Sequence, residues 1–127
     1  RNHDFGIIMC NEESIQPIAK SYASRGSKFI VAMSNNQDFG RGRFIISQFT
    51  KLRAAENAKY VVRATNDGIT PILNPFGKIV YSIEPEKQKI LIGEINLNSY
   101  QTFYTKYGNI LVYLLMILSI FLMIKKR

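Results

Sequence analysis

Short apolar runs alternate with amphipathic stretches along most of the chain. Apolar runs bounded by polar turns indicate buried strands, whereas apolar positions three or four residues apart indicate a helix with one packed face. These patterns predict strands at residues 6–9, 28–34, 60–63, 69–73, 78–83 and 89–95. They predict helices at residues 14–24 and 44–57, and the second helix should pack Ile45, Phe49 and Leu52 against a sheet.

The order of these elements favours an α/β fold. Strand, helix, strand, helix is the order of parallel βαβ units, in which helices cover the sheet. Four further strands follow, and turn residues such as Asn66-Asp67-Gly68 separate them as hairpins do. We therefore expect a sheet that is parallel in its first half and antiparallel in its second.

Residues 110–124 form an uncharged apolar stretch that is hydrophobic on every face of a helix. A buried core helix is the alternative, but such a helix is normally amphipathic. Fifteen residues would rise about 22 Å, against a hydrocarbon core of ~30 Å. Extension back through Tyr107-Gly108-Asn109 brings the stretch to about 27 Å, and Tyr104 and Tyr107 would then lie at the interface as aromatic anchors. We therefore expect one transmembrane helix at 110–124, after an interfacial connection at 101–109.

The basic cluster at 125–127 predicts that the C-terminus is cytoplasmic, because positively charged flanks prefer that side of the membrane. The soluble part would then lie on the extracytoplasmic side. The cluster supplies three of the eight net positive charges. The remaining basic residues are scattered singly and match no nucleic-acid-binding motif, so the charge does not predict nucleic-acid binding.

Composition bounds the chemistry further. The only cysteine is Cys10, which excludes an intrachain disulfide and a zinc site built on paired thiolates. The chain begins with Arg1 rather than Met, and residues 5–9 already look like an interior strand. We therefore expect the numbering to start inside a longer protein.

Cys10 follows the first predicted strand and precedes a helix, which is where α/β sheets usually place reactive groups. The amide groups of a helix N-terminus stabilise a thiolate and can hold an oxyanion. Glu12, two residues later, could orient a neighbour or a substrate amine. A buried thiol that closes a strand is the commoner role for a single cysteine. Position alone leaves both interpretations open.

Several short motifs accompany Cys10. They are Cys10-x-Glu12, Ser34-Asn35-Asn36-x-x-Phe39-Gly40, Arg53-Ala54-x-Glu56, Arg63-Ala64-Thr65-Asn66-x-Gly68-Ile69-Thr70, Asn74-Pro75-x-Gly77 and Thr102-x-Tyr104-x-x-Tyr107-Gly108-Asn109. Together they resemble the carbon–nitrogen hydrolase (nitrilase) superfamily. Within that superfamily, the motifs and the apolar tail are most similar to the C-terminal part of the bacterial apolipoprotein N-acyltransferases. The resemblance extends over nearly the whole chain.

This resemblance implies a fold and an enzymatic activity. Residues 1–100 would be the C-terminal portion of a nitrilase-like αββα sandwich, followed by the transmembrane helix. The enzymes transfer a fatty acyl group from a membrane phospholipid to the N-terminal amine of a diacylglyceryl-cysteine apolipoprotein, through a cysteine thioester. They need no cofactor or metal, and they are multi-pass proteins of the bacterial inner membrane. The resemblance does not exclude a membrane-tethered amidase that hydrolyses C–N bonds, or an inactive remnant.

The resemblance also assigns roles to individual residues. Cys10 would be the nucleophile, the backbone N–H of Asn11 would lie in the oxyanion hole, and Glu12 would position the second substrate. Supporting roles fall to residues near strand ends and turns: Asn35 and Asn36 at the rim of the site, and Arg63, Asn66 and Gly68 in the turn beneath it. The pair Arg53 and Glu56, three apart on a helix, is better interpreted as a structural ion pair.

Three positions depart from the family pattern. Asn11 replaces a usual Tyr, Asp38 replaces a usual Trp, and Ile45-Ile46 replaces a usual Gln-His pair. The first two changes remove apolar surface that could face lipid chains. In the family, the general-base glutamate and the stabilising lysine come from segments before the cysteine. We therefore expect these 127 residues alone to lack acyltransferase activity.

Overall fold

The computed structural model describes residues 4–37, 40, 42–83 and 89–125. Asp38, one of the departures noted above, lies outside the described residues, as do Lys126 and Arg127. The elements in chain order are β1 (Phe5–Met9), a 3₁₀ turn (Cys10–Ser14), α1 (Gln16–Ser24), β2 (Phe29–Ser34), α2 (Gly42–Asn57), β3 (Tyr60–Thr65), β4 (Thr70–Leu73), β5 (Ile79–Ile83), α3 (Phe103–Tyr107) and α4 (Ile110–Lys125).

The strands form one five-stranded sheet in the order β1-β2-β3-β4-β5. The first three strands are parallel, and β4 and β5 are added as antiparallel neighbours. The predicted change from parallel to antiparallel wiring is thus confirmed. Met9 lies opposite Met33, and Met33 lies opposite Ala64, so the carboxyl ends of the three parallel strands meet at one edge of the sheet.

The prediction of a sixth strand at 89–95 was wrong. These residues belong to no strand or helix. Ile90 and Ile92 are 89% and 86% exposed, so neither apolar side chain is packed against the sheet. A segment with a strand-like sequence becomes a β-strand only where it can hydrogen-bond to a neighbouring strand.

Helices α1 and α2 pack on one face of the sheet and enclose a small core. Its members are apolar residues of both layers: Ile8, Ala19, Ile30, Ala32, Ala54, Val61 and Leu73. The predicted packing face of α2 was wrong, because Ile45 and Leu52 are 60% and 49% exposed. The buried face instead carries mostly polar residues, with Thr50, Arg53 and Asn57 almost fully enclosed. Hydrogen bonds of Thr50 with Glu13 and of Asn57 with Thr105 link this face to other elements and fix the orientation of the helix, which an apolar pattern cannot show.

Within the described residues, the opposite face of the sheet is uncovered along β1 and at the end of β2. Phe5, Ile7, Met9 and Met33 point their side chains out of that face and are exposed. An αββα sandwich contains two sheets packed face to face. The described residues provide one sheet and its helical layer, which is an α/β half of such a sandwich.

Helix α4 is apolar and exposed along its whole length. Within the described residues, no helix is both long and apolar enough to cross a membrane. The sixteen residues of α4 rise about 24 Å, which is short of the ~30 Å hydrocarbon core. The prediction of a transmembrane helix at 110–124 is therefore not confirmed. The connection predicted at 101–109 contains a short helix, α3, whose first turn is capped by Thr102.

Candidate active site

An open cleft lies where the carboxyl ends of β1, β2 and β3 meet. Its volume is about 700 Å³. Its lining comes from these strand ends and the residues just after them: Met9, Cys10, Glu12, Met33, Ser34, Asn35, Ala64, Thr65 and Asn66. Ligands of open α/β sheets bind at this edge. The fold therefore brings Cys10 and Glu12 together with Asn35 and Asn66, which are 23 to 56 positions away in sequence.

Cys10 has an unusual backbone conformation. Its φ angle is +48°, in the left-handed region that side chains other than glycine rarely adopt. The chain leaves β1 at this residue and enters the 3₁₀ turn Cys10–Ser14. Such strain persists only where surrounding contacts impose it, and it concentrates at functional sites. The half-buried thiol stands at the wall of the cleft, where a substrate could reach it.

Glu12 and Asn11 shape the turn after the nucleophile candidate. The Glu12 carboxylate accepts a hydrogen bond from the backbone N–H of Met9, with Oε2 2.8 Å from the nitrogen. Glu12 thus braces the strand end from inside the turn while also lining the cleft. Asn11 is exposed, and its carbonyl accepts a hydrogen bond from the Ser14 hydroxyl at 2.7 Å. The roles that the resemblance gives these residues in substrate and oxyanion binding stay predictions.

The predicted supporting asparagines join two walls of the cleft. Asn36 donates its backbone N–H to Asn66 Oδ1 at 2.9 Å, and Asn66 Nδ2 donates to Asn35 Oδ1 at 2.7 Å. Asn35 and Asn66 line the cleft, whereas Asn36 is buried behind them. The side-chain amide of Asn36 also donates to Thr65 Oγ1 at 2.9 Å. These bonds tie the end of β2 to the turn after β3.

Arg63 and Gly68 hold the turn that carries Asn66. Gly68 has a φ angle of +106°, which glycine adopts without the steric cost of a Cβ atom. Arg63 is 1% exposed, and its Nη1 donates to the carbonyl of Ile69 at 2.9 Å. Both residues therefore lie behind the cleft, where they support its wall.

Glu13 is the residue that sequence reasoning missed. It is fully buried beneath the cleft, and its carboxylate forms an ion pair with Arg63, with Oε2 3.0 Å from Nε. The hydroxyls of Ser34 and Thr50 also donate to this carboxylate. A signal was available in the sequence, because Arg63 falls on the same inward face of β3 as Val61. A buried arginine requires a buried anion as its partner.

A second ion pair, with a buried arginine and a partly exposed glutamate, lies away from the cleft. Arg53 Nη2 is 3.2 Å from Glu56 Oε1, which confirms the structural interpretation of this pair. Burial raises the pKa of Glu56 above its ordinary value, and the positive charge of Arg53 offsets part of that rise. Burial also raises the pKa of Tyr104 on α3, as does the negative charge of Glu56. Hydrogen bonds from Thr102 to the Glu56 carbonyl and from Thr105 to the Asn57 side chain anchor α3 to the end of α2.

The reactive and polar groups that line the cleft include the Cys10 thiol, the side-chain amides of Asn35 and Asn66, and the Glu12 carboxylate. Among the described residues, no three His, Cys, Asp or Glu side chains cluster closely enough to hold a metal ion. A thiolate at this position could attack an acyl carbon and later serve as a leaving group. The arrangement fits acyl transfer through a covalent thioester.

Comparison with known proteins gives consistent results. Residues 3–105 match the family model of carbon–nitrogen hydrolases. The apolipoprotein N-acyltransferase of Geobacter metallireducens is 33% identical over 107 residues, which cover 83% of this chain and 20% of that protein. The enzyme of the same name from Pseudomonas putida is 34% identical over 97 residues, covering 75% of this chain and 19% of that protein. The chain thus spans about a fifth of the length of these relatives.

Solved structures of nitrilase-superfamily proteins share this fold. Nit3 of Saccharomyces cerevisiae superposes with a TM-score of 0.58 at 22% identity, covering 65% of this chain and 34% of Nit3. An amidase from Nesterenkonia superposes with a TM-score of 0.54 at 17% identity, covering 65% of this chain and 34% of the amidase. These similarities bear on the fold, which is nitrilase-like α/β. The match to the family model over residues 3–105 shows that the chain belongs to the carbon–nitrogen hydrolase family.

Proposed function

We propose that this chain is the nucleophile-bearing part of an apolipoprotein N-acyltransferase. The observation that carries the proposal is Cys10, held in a left-handed conformation at the wall of a cleft where three parallel strands end. Curated relatives of that name, similar over most of this chain, support the reaction class. The substrates are a membrane phospholipid as acyl donor and the N-terminal amine of an apolipoprotein as acceptor.

The reaction proceeds in two acyl transfers. The Cys10 thiolate attacks the ester carbonyl carbon of the phospholipid, the carbon–oxygen bond breaks, and the departing lysophospholipid oxygen takes up a proton. The acceptor amine then attacks the thioester carbonyl, the carbon–sulfur bond breaks, and the amine proton returns to the thiol. Cysteine suits both steps, because a thiolate is a strong nucleophile and a good leaving group.

Asn11 and Glu12 serve these steps from the turn after Cys10. The backbone N–H of Asn11 stabilises the oxyanion that forms on the carbonyl oxygen. Glu12 holds the strand end through Oε2, and its other oxygen, Oε1, orients the acceptor amine. Asn35 and Asn66 form the polar rim opposite. The apolar side chains of Met9 and Met33 supply the surface on which the acyl chain lies.

The membrane forms part of this proposal. Helix α4 exposes apolar side chains on all sides, and contact with lipid would remove them from water. We place α4 in the bacterial inner membrane with the basic end at 125–127 on the cytoplasmic side. The domain at 1–100 then works at the extracytoplasmic surface, and the connection at 101–109 lies at the interface.

A chimera tests the proposal. The matching segment of the Geobacter metallireducens relative is replaced by this chain, and the purified chimera is incubated with phospholipid vesicles. Peptide mass spectrometry should find a fatty acyl chain on Cys10, and Cys10→Ser should abolish it. A folded chimera without the adduct, beside an unaltered relative that carries one, would show that this version is an inactive remnant. Release of the acyl group as free acid, with no transfer to an apolipoprotein peptide, would indicate an amidase-like hydrolase instead.

The chain by itself should not form the adduct. In this family the general base and the stabilising lysine precede the cysteine, so Cys10 would lack its proton acceptor. To test this, the 127-residue chain is incubated with the same vesicles and Cys10 is examined by the same mass spectrometry. A thioester formed there would contradict this expectation while leaving the nucleophile assignment intact.

A further inference from the structure

The carboxylate of Glu13 joins four elements that surround the cleft. It lies in the turn that starts at Cys10, and it accepts hydrogen bonds from Ser34 at the end of β2 and from Thr50 on α2. Arg63 on β3 completes the set through its Nε, 3.0 Å from Oε2. All four side chains are buried. A carboxylate can accept several donors at once, which an amide or a hydroxyl at this position could not do equally well.

The same cluster reaches the opposite wall of the cleft. While Nε of Arg63 contacts Glu13, its Nη1 donates to the carbonyl of Ile69 at 2.9 Å. Ile69 follows the turn that carries Asn66, a lining residue. Displacement of Glu13 would therefore disturb both the turn after Cys10 and the turn after β3.

The conformation of Cys10 needs such support. A non-glycine residue at φ +48° relaxes unless its neighbours are fixed. Glu12 fixes the start of the turn through the N–H of Met9. Glu13, the next residue, attaches the turn to the rest of the domain through three side-chain donors.

We propose that Glu13 is a positioning residue, which holds Cys10 in its left-handed conformation facing the cleft by bonding to Ser34, Thr50 and Arg63. Glu13 takes no part in bond making or breaking. The inference rests on the proposed role of Cys10 as nucleophile. The effect of the Glu13 hydrogen bonds on the stability of the turn can nevertheless be tested without any acyl transfer.

Substitutions of Thr50 test the cluster without leaving Arg63 unpaired. Thr50→Val keeps the shape of the side chain and removes the donor to Glu13, whereas Thr50→Ser keeps the donor. Ser47→Ala is the matched control, because the buried Ser47 on the same helix donates to the carbonyl of Phe44 and not to Glu13. Hydrogen exchange of the full 127-residue chain, followed by mass spectrometry, reports the opening of each segment.

Thr50→Val should raise exchange in residues 10–14 and 66–69 about fivefold, which corresponds to the loss of one hydrogen bond, while β5 exchanges as before. Thr50→Ser and Ser47→Ala should match the parent chain. Equal increases along the whole chain, or no increase at 10–14, would overturn the positioning role.

Chemistry in the chimera provides the second readout. Thr50→Val should lower the rate of Cys10 acylation at saturating phospholipid about fivefold and leave the half-saturating concentration unchanged, and Thr50→Ser should restore the rate. If the parent chimera acylates Cys10 and Thr50→Val leaves the rate of acylation unchanged, the positioning role of Glu13 is overturned. A different outcome is possible: Thr50→Val raises hydrogen exchange in the two turns as expected, but the chimera never acylates Cys10. That result would contradict the proposed function and leave the positioning role of Glu13 standing.

Discussion

Replacing Arg63 by methionine should destabilise the domain far more than the loss of an ordinary contact. Arg63 and Glu13 form an ion pair in which both side chains are fully enclosed. Without Arg63, the Glu13 carboxylate would stay buried with only hydroxyl donors, and the carbonyl of Ile69 would lose its partner. Breaking a buried pair on one side costs about 3–5 kcal/mol. The total free energy of unfolding of such a domain is about 5–15 kcal/mol, so the variant should be only marginally stable.

Urea unfolding followed by circular dichroism measures the effect. With a slope of ~2 kcal/mol per molar urea, a loss of about 4 kcal/mol lowers the midpoint by about 2 M. Arg25→Met is a matched control, since Arg25 is exposed on the surface of the domain and bonds only within its own helix and its cap. Its midpoint should shift by less than about 0.5 M, as exposed substitutions cost ~0.5 kcal/mol or less.

The double variant Glu13→Leu/Arg63→Met separates charge from packing. Apolar replacements of similar size leave no buried charge, so the double variant should be more stable than Arg63→Met alone. Should Arg63→Met lose less than about 1 kcal/mol, the pair would be no stronger than a surface ion pair and the reasoning would be refuted.

Three further predictions concern other parts of the fold. Gly6→Ala places a Cβ atom 2.5 Å from the Tyr22 side chain, so overpacking should lower the free energy of unfolding by about 1–3 kcal/mol, measured by urea titration. The pKa of Glu56 in the folded state is raised above 4.5, so the protonated carboxyl favours folding. Its contribution to the free energy of unfolding should be present below pH 4.5 and lost as the pH rises through the folded pKa. Glu56→Gln should remove this part of the dependence of stability on pH. Lys59 donates to Asn98 and Tyr100 from a buried position, so Lys59→Met should speed proteolysis between residues 89 and 102, whereas unchanged cleavage would show that other contacts hold this segment.

Local patterns predicted most secondary structure correctly. The five observed strands each begin within one residue of their predicted start, because short apolar runs between turns have few other ways to bury their side chains. Helix α2 was placed correctly, but its packed face was not. Apolar periodicity selects Ile45 and Leu52, whereas the observed face carries Thr50 and Asn57, which bond to Glu13 and Thr105, 37 and 48 residues away in sequence.

For the candidate site, the order of residues along the chain was enough to place Cys10 at the end of the first strand, to predict the parallel wiring that follows it, and to indicate the family. The left-handed conformation of Cys10 and the burial of Glu13 against Arg63 became visible only in the folded domain. The two partners are 50 residues apart, and a long-range pair between buried charges forms only once the fold brings the 3₁₀ turn after β1 and strand β3 together.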